Sequence, residues 1–160
     1  MRNSQRAFSL IELLIVVAII LIIAAIAIPD LMRSRMAANQ SSAVASCRMI
    51  NTAEVTYAAN YGAGFTSTLL QLGPPASGPV SESAAGLIDS VLATGVKSGY
   101  SFAYVPTNPD ARGFYNGYNV STGPTRVGVT GTTYYFTDQT YVIRANPSGP
   151  ASAADSPVAN

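Results

Sequence analysis

The stretch FSLIELLIVVAIILIIAAIAIP, from Phe8 to Pro29, is the longest apolar run in the chain. Before the proline its only polar side chains are those of Ser9 and Glu12. About 20 apolar residues in a helix are enough to cross a bilayer, and a helix that is apolar on every side is buried in lipid or in protein. The sequence therefore predicts a membrane-spanning or deeply buried helix over residues 8–29.

Glu12 is the one ionisable residue inside this run, one helical turn from its start. A carboxylate within a bilayer is costly, which makes it a candidate functional residue. Because Glu12 lies near one end of the span, solvation at the headgroup boundary is the alternative explanation.

Two arginines, Arg2 and Arg6, precede the apolar run. Positive charges flanking a span favour the cytoplasmic side, so we expect a cytoplasmic N-terminus and export of the remaining chain. The leader is not a conventional secretory signal, since the apolar run lacks an A-x-A cleavage site followed by a polar mature start.

The string Ala7-Phe8-Ser9-Leu10-Ile11-Glu12, after its basic leader, resembles the processing signature of type IV prepilins and type II secretion pseudopilins. The resemblance is close from Arg6 to Pro29. It implies that a prepilin peptidase/N-methyltransferase cuts between Ala7 and Phe8 and methylates the new amine of Phe8. It also implies that Glu12, which matches the family's glutamate, meets the N-terminal amine of a neighbouring subunit.

The pairing of Glu12 with a neighbour's Phe8 amine has a physical basis of its own. A carboxylate or an ammonium is expensive to bury alone, and pairing the two removes most of that penalty. Such a contact is head-to-tail, and head-to-tail contacts that do not close produce open helical filaments. We therefore expect a homo-oligomer in which the apolar helix is first a membrane anchor and then the filament core.

Composition excludes several other classes of function. Only 11% of the 160 residues are charged, and loss of the leader arginines takes the net charge from +1 to −1, so no basic field for nucleic acid is expected. The chain has no histidine, which excludes imidazole acid–base and metal chemistry. The single cysteine, Cys47, excludes an intrachain disulfide; we expect it to be a small buried residue. No cofactor and no enzymatic activity are expected.

After the span, Pro29, which we expect to act in assembly together with Phe8 and Glu12, predicts a kink or local opening of the helix. Residues 30–61 predict an amphipathic continuation that ends at Gly62. The face expected to pack on a sheet has helical spacing and consists of Ala43, Cys47, Ile50, Tyr57 and Tyr61. Three arginines are expected on the more polar surface, at Arg33, Arg35 and Arg48.

The rest of the chain predicts a small globular domain. Residues 62–97 have loop composition with a short helix at 81–94, and residues 98–145 alternate with a period of two, typical of three to five antiparallel strands. The last hairpin is expected to turn at Asp138-Gln139, and residues 146–160 to form a surface tail. Asp138 with Asp155 is a weak calcium candidate, because calcium needs six or more oxygens; turn formation explains Asp138 more simply.

Together these observations predict an α+β, pilin-like fold, with a leader at 1–7 and a long N-terminal helix packed on a small antiparallel sheet. The expected function is that of a type IV pilus subunit, made in the inner membrane and assembled at the cell surface by a platform protein and ATPase. Its globular domain would then decide adhesion, twitching motility or uptake. The alternatives are a pseudopilin of a type II secretion system, which would act in the periplasm, and a signal-anchored periplasmic enzyme. The absence of histidine and of clustered carboxylates disfavours the enzyme.

Overall fold

The computed structural model describes residues 8–158. The chain divides into two compact units, Met1–Arg35 and Met36–Asn160. One helix, α1 (Leu10–Tyr61), belongs to both units. The other elements all lie in the second unit: α2 (Ser90–Ala93), β1 (Val96–Lys97), β2 (Tyr100–Pro109), β3 (Tyr115–Pro124), β4 (Tyr134–Asp138) and β5 (Arg144–Asn146). The architecture is the predicted α+β arrangement of a long N-terminal helix and an antiparallel sheet.

In the first unit, α1 is helical from Leu10 onwards and continues without interruption through Pro29. Of the two outcomes predicted at Pro29, a local opening does not occur in the isolated chain, and a kink stays a prediction. Proline removes one backbone donor, the one that would bind the carbonyl of Ala25. The surrounding residues are aliphatic and contain no glycine, so the neighbouring turns keep their helical conformation despite that loss.

In the second unit, one face of α1 packs on the sheet. The predicted positions Ala43, Cys47, Ile50 and Tyr57 are all at most 2% exposed, and Tyr61 is half-buried against the same core. Ser46, Asn51, Ala53 and Glu54 share this face and are buried as well. The helical spacing of the sequence thus identified the packing face, although not its polar members.

The connection between α1 and the sheet differs from the prediction. A 3₁₀ turn forms at Leu69–Leu72, and the helix expected over 81–94 is restricted to Ser90–Ala93, capped by the Asp89 side chain, which accepts a hydrogen bond from Leu92 N at 2.9 Å. The reason lies in tertiary hydrogen bonding. The backbone N–H groups of residues 85–88 donate to the carbonyls of Gln71, Leu72 and Gly73, so they are not available for a helix.

The sheet is a five-stranded antiparallel meander in the order β1-β2-β3-β4-β5. The longest pairing joins β2 to β3, with Phe102 opposite Thr122 and Tyr104 opposite Val120. Alternate residues of β2 face the helix, and Tyr100 and Phe102 are buried there. The period-two pattern of residues 98–145 therefore predicted both the strands and their inner face.

The C-terminal region is more ordered than the sequence suggested. The last hairpin forms, but its turn is wider than Asp138-Gln139, because β4 ends at Asp138 and β5 begins only at Arg144. Residues after Asn146 are not a free surface tail up to Val158. Ala151 is buried, Ala145 N donates to Ser156 O at 3.0 Å, and Val158 N donates to Ile143 O at 2.8 Å. Short local turns and small apolar residues hold this segment in place. The polar and proline-rich composition of the segment did not indicate these contacts.

Candidate functional site

Two of the predicted assembly residues, Phe8 and Glu12, lie at the N-terminal end of α1, and the third, Pro29, lies inside the helix. Ala7, Arg2 and Arg6 fall outside the described residues. Phe8 precedes the helix and is 75% exposed. Ser9 is the last residue before the helix, and its carbonyl accepts hydrogen bonds from Glu12 N at 3.1 Å and Leu13 N at 3.3 Å. These bonds close the first turn and place Glu12 within it.

The Glu12 side chain is exposed and forms no hydrogen bond or ion pair with any residue from 8 to 158. It stands in the first turn of α1, where the helix dipole favours a negative charge. Around it the neighbouring side chains are aliphatic, including Ile11, Leu13 and Ile15. Glu12 is therefore a lone charge on an apolar surface, with nothing in its own described chain to neutralise it.

The apolar surface around Glu12 is continuous. Every large hydrophobic side chain from Phe8 to Ile28 has between 45% and 80% of its surface exposed in the isolated chain. Burial of one such side chain is worth about 1.5–3 kcal/mol, so transfer of this segment from water into lipid or protein gains on the order of tens of kcal/mol. The segment requires a second apolar phase or a second molecule.

The polar end of this unit follows Pro29. Asp30 and Arg33 approach each other at 3.9 Å, with side chains 70% and 79% exposed, and Ser34 Oγ donates to the Asp30 carbonyl at 3.0 Å. An exposed ion pair of this kind contributes little to stability. Its position marks where the surface of α1 changes from apolar to hydrated.

Comparison with known proteins identifies this N-terminal region. A family model described as the prokaryotic N-terminal methylation motif matches residues 2–28. The chain carries this methylation motif. It is a class III signal peptide, typical of type IV pilins and pseudopilins, and implies processing by a prepilin peptidase and assembly into a filament. No curated protein and no solved structure gave a significant match.

The methylation motif agrees with the physical character of α1. In the part of the chain that the structure describes, α1 is the one helix long and apolar enough to cross a membrane, and no residue of its most apolar window is buried. The motif and this helix together support a membrane-anchored precursor. The resemblance drawn from residues 6–29 is thereby confirmed at the level of the motif.

A second glutamate, Glu54, was not identified from the sequence. It lies on the sheet-facing side of α1 and is 0% exposed. Its Oε1 accepts a 2.6 Å hydrogen bond from Thr66 Oγ1, and its Oε2 accepts a 3.0 Å bond from Thr66 N. Tyr104 Oη donates to Thr66 O at 2.9 Å, which joins β2 to the same cluster. Burial raises the pKa of Glu54, and the hydrogen bonds from Thr66 oppose that rise.

Asn51, one turn earlier on the same face, forms a second buried polar cluster. Its Nδ2 donates to Thr137 Oγ1 at 2.9 Å and to the Tyr141 carbonyl at 3.3 Å, while its Oδ1 accepts from Tyr118 Oη at 3.0 Å. The amide thereby binds β3, β4 and the loop after β4 to the helix. The Tyr118 ring also stacks on Tyr104, with centroids 5.8 Å apart. One signal could have found both residues: Asn51 and Glu54 occupy core positions of the helical spacing.

The remaining candidate residues, Cys47, Asp138 and Asp155, make contacts typical of residues that stabilise the fold. Cys47 is 0% exposed and lies 3.6 Å from Thr122 Oγ1, and burial raises its thiol pKa to about 11; the prediction of a small buried residue is confirmed. The Asp138 carboxylate accepts hydrogen bonds from N and Oγ1 of Thr140, and Asp155 accepts from Ser152 and Asn146. These bonds are those of turn-forming residues. Among residues 8–158 no three potential metal ligands lie together.

Proposed function

We propose that this protein is the structural subunit of a type IV pilus-like filament, which polymerises through the apolar part of α1 after cleavage between Ala7 and Phe8. The methylated amine of Phe8 in one subunit then pairs with the carboxylate of Glu12 in the next. This contact sets the register between subunits, and the aliphatic side chains around it form the filament core. The second unit forms the outer surface and carries adhesion, motility or uptake.

The observation that carries the proposal is the lone carboxylate of Glu12 within an exposed apolar surface. A purely anchoring helix needs no charge one turn inside its start, and a carboxylate there costs free energy in lipid. A filament core offers the missing partner, because each subunit brings both a new ammonium and a carboxylate. The methylation motif supports the same chemistry, since it is the motif that creates such an amine.

The partners follow from this scheme. The precursor stands in the inner membrane, where the prepilin peptidase/N-methyltransferase processes it. An assembly platform and its ATPase then transfer the subunit from lipid into a homo-oligomeric helical filament at the cell surface. The role is structural rather than enzymatic, and it requires no cofactor.

The same motif also occurs in pseudopilins, so a type II secretion pseudopilin is the second candidate. It would form a short periplasmic filament with the same contacts. Deletion of the gene distinguishes the two, because loss of surface filaments with intact protein secretion favours the pilus subunit. Loss of secretion without any change in surface filaments favours the pseudopilin.

The N-terminal residue and mass of the protein recovered from sheared cell-surface material test the proposal directly. We expect a polymeric fraction whose chain begins at Phe8 and is heavier by one methyl group. The same processed chain confined to the inner membrane or periplasm would support the pseudopilin. A Met1 start in every fraction would contradict the whole assembly scheme.

A further inference from the structure

The second unit contains a cavity of about 230 Å³ beside the end of α1. Four aromatic residues line it, namely Tyr57, Phe65, Phe114 and Tyr115, together with one acidic residue, Glu82. Pockets that hold drug-sized ligands measure about 300–1,000 Å³. This cavity is smaller, so it suits a small ligand or a single inserted group.

Backbone contacts build the cavity from three separate segments. Phe65 N donates to Tyr115 O at 2.8 Å, which joins the loop after α1 to β3. Gly64, in a left-handed conformation with φ of +71°, allows this approach, because a Cβ there would collide with the Tyr115 carbonyl. Tyr57 Oη donates to the backbone carbonyl of Glu82 at 3.0 Å, which attaches the acidic segment to the helix.

The charges around the cavity are asymmetric. Glu82 forms no ion pair with any described residue. The pKa of Tyr57 is raised to about 12. Burial is the main cause of this rise, and the negative charge of Glu82 is the second. Arg112, in the loop that contains Phe114, is already bound to Asp110 through Nε and Nη2 at 3.0 Å each.

The Phe114 ring already accepts a cation from its own loop. The Arg112 guanidinium carbon lies 5.0 Å from the ring centroid, within the range of a cation–π contact. Phe114 is held in place by its N–H, which donates to Asp110 Oδ1 at 2.9 Å. Phe114 is therefore fixed in place, and the exposed side chain of Glu82 lines the same cavity.

We propose that this cavity binds a small organic cation, of the size of a quaternary ammonium or guanidinium group. The negative faces of aromatic rings attract such cations electrostatically, and Glu82, which forms no ion pair with any described residue, supplies the counter-charge. A free ligand or a basic side chain from a neighbouring copy would present the same chemistry.

The test compares choline with its neutral isostere 3,3-dimethyl-1-butanol. The full-length chain is kept in a maltoside detergent, which has no ammonium group, and ring-proton shifts of the cavity tyrosines and phenylalanines are followed by NMR. We expect saturable binding of choline, with the neutral compound weaker by about tenfold because it lacks the charge. Equal affinities would overturn the proposal, and so would the absence of saturation by choline.

Two variants locate the binding. Glu82→Gln keeps the shape but removes the charge, and Phe114→Leu keeps an apolar side chain but removes the π face; we expect each to weaken choline binding by about fivefold. Asp30→Asn, which removes one negative charge in the first unit, is the matched control and should leave affinity unchanged. A loss of affinity equal to that of Glu82→Gln in this control would contradict a local site.

Filaments distinguish the two sources of the cation. Choline binding that is lost on assembly assigns the cavity to a basic side chain of a neighbouring copy. Choline binding that is kept in filaments assigns it to a free ligand. Near-ultraviolet circular dichroism checks that each variant is folded, since all nine tyrosines belong to the second unit.

Discussion

Two glutamates on one helix have opposite surroundings. Glu12, in the first unit, is exposed on an aliphatic surface and has no partner among residues 8–158. Glu54, in the second unit, is completely buried and accepts two hydrogen bonds from Thr66. The second carboxylate finds its hydrogen-bond donors within its own chain, whereas the first has no partner among the described residues. We therefore expect Glu54 to act on the stability of the fold and, under the proposed function, Glu12 to act on assembly.

The largest effect is expected from Glu54→Ala. This change leaves the N–H and hydroxyl of Thr66, which is 1% exposed, without their acceptor, and it also opens a cavity. We expect the free energy of unfolding of the second unit to fall by about 3 kcal/mol. Denaturant titration in detergent, followed by the near-ultraviolet signal of the tyrosines, measures it.

Val55→Ala is the control for that experiment, because Val55 is the next residue along α1 and is 46% exposed. Its loss should change the unfolding free energy by no more than about 0.5 kcal/mol. If Glu54→Ala were as mild as this control, the hydrogen bonds from Thr66 would not hold the loop to the helix, and the comparison between the two glutamates would fail.

Glu12→Ala is expected to act on assembly alone. Removal of the carboxylate leaves the neighbouring ammonium unpaired in an apolar core, which costs at least about 1.4 kcal/mol per contact, or a tenfold loss. We expect sheared filament yield to fall at least about tenfold, while membrane insertion and the unfolding of the second unit stay unchanged. Filament yield equal to that of the wild type would remove Glu12 from the assembly mechanism.

The free energy of unfolding should depend on pH differently in the wild type and in a variant with a neutral residue at position 54. Burial raises the folded-state pKa of Glu54 above the ordinary value of 4.5. A carboxyl group whose pKa is raised by folding stabilises the folded state at any pH below its pKa in the unfolded chain. This stabilisation is lost as the pH rises through the pKa of the folded state. The free energy of unfolding falls by roughly 1.4 kcal/mol for each unit by which folding raises the pKa of Glu54. The tyrosines that face it, Tyr57, Tyr104 and Tyr118, have raised pKa values and stay neutral in this window.

Glu54→Gln tests this directly, because its amide can accept from Thr66 N and donate to Thr66 Oγ1 without any charge. Measured from pH 4 upward, the stability of the wild type should decline relative to this variant. Parallel curves for the two proteins would mean that Glu54 does not change its protonation in that range.

The sequence predicted what depends on local pattern. The apolar run, the motif around Phe8 and Glu12, the packing face of α1 and the period-two strands all repeat along the chain, and each was found as expected. Regions set by distant hydrogen bonds were not predicted. Residues 85–88 bind carbonyls of residues 71–73 instead of forming a helix, and Val158 returns to Ile143. The composition of a local segment does not indicate which distant residues its backbone groups will bind.

The buried polar clusters show the same limit more sharply. Asn51 and Glu54 occupy helical positions that the spacing assigns to the core, but a polar residue there is ordinarily expected on the surface. Their acceptors and donors, Thr66 and Thr137, lie 12 and 86 residues away. The sequence contains the positions of these side chains on the helix, and only the folded chain brings their partners together.

A smaller effect is expected from Tyr118→Phe. The change removes one hydrogen bond, from Tyr118 Oη to Asn51 Oδ1, while Asn51 keeps its bond with Thr137 and the ring keeps its stack on Tyr104. We expect a loss of about 1 kcal/mol in the unfolding free energy. Tyr134→Phe, at a half-buried tyrosine on β4, is the control, and a loss as large there would show that the Asn51 cluster has no special contribution.

The smallest effect is expected from Arg33→Gln in the first unit. Arg33 approaches Asp30 at 3.9 Å with both side chains largely exposed, so solvent screens the pair and the unfolding free energy should change by less than about 0.5 kcal/mol. The same denaturant titration measures it. Unlike Glu54, this charge has no buried partner to lose, so an unchanged stability together with a reduced filament yield would place Arg33 in a contact between subunits. A marked loss of stability in the dispersed chain would instead show that the first unit contains charge interactions of its own, and Glu12 would then no longer be unusual in depending on another molecule.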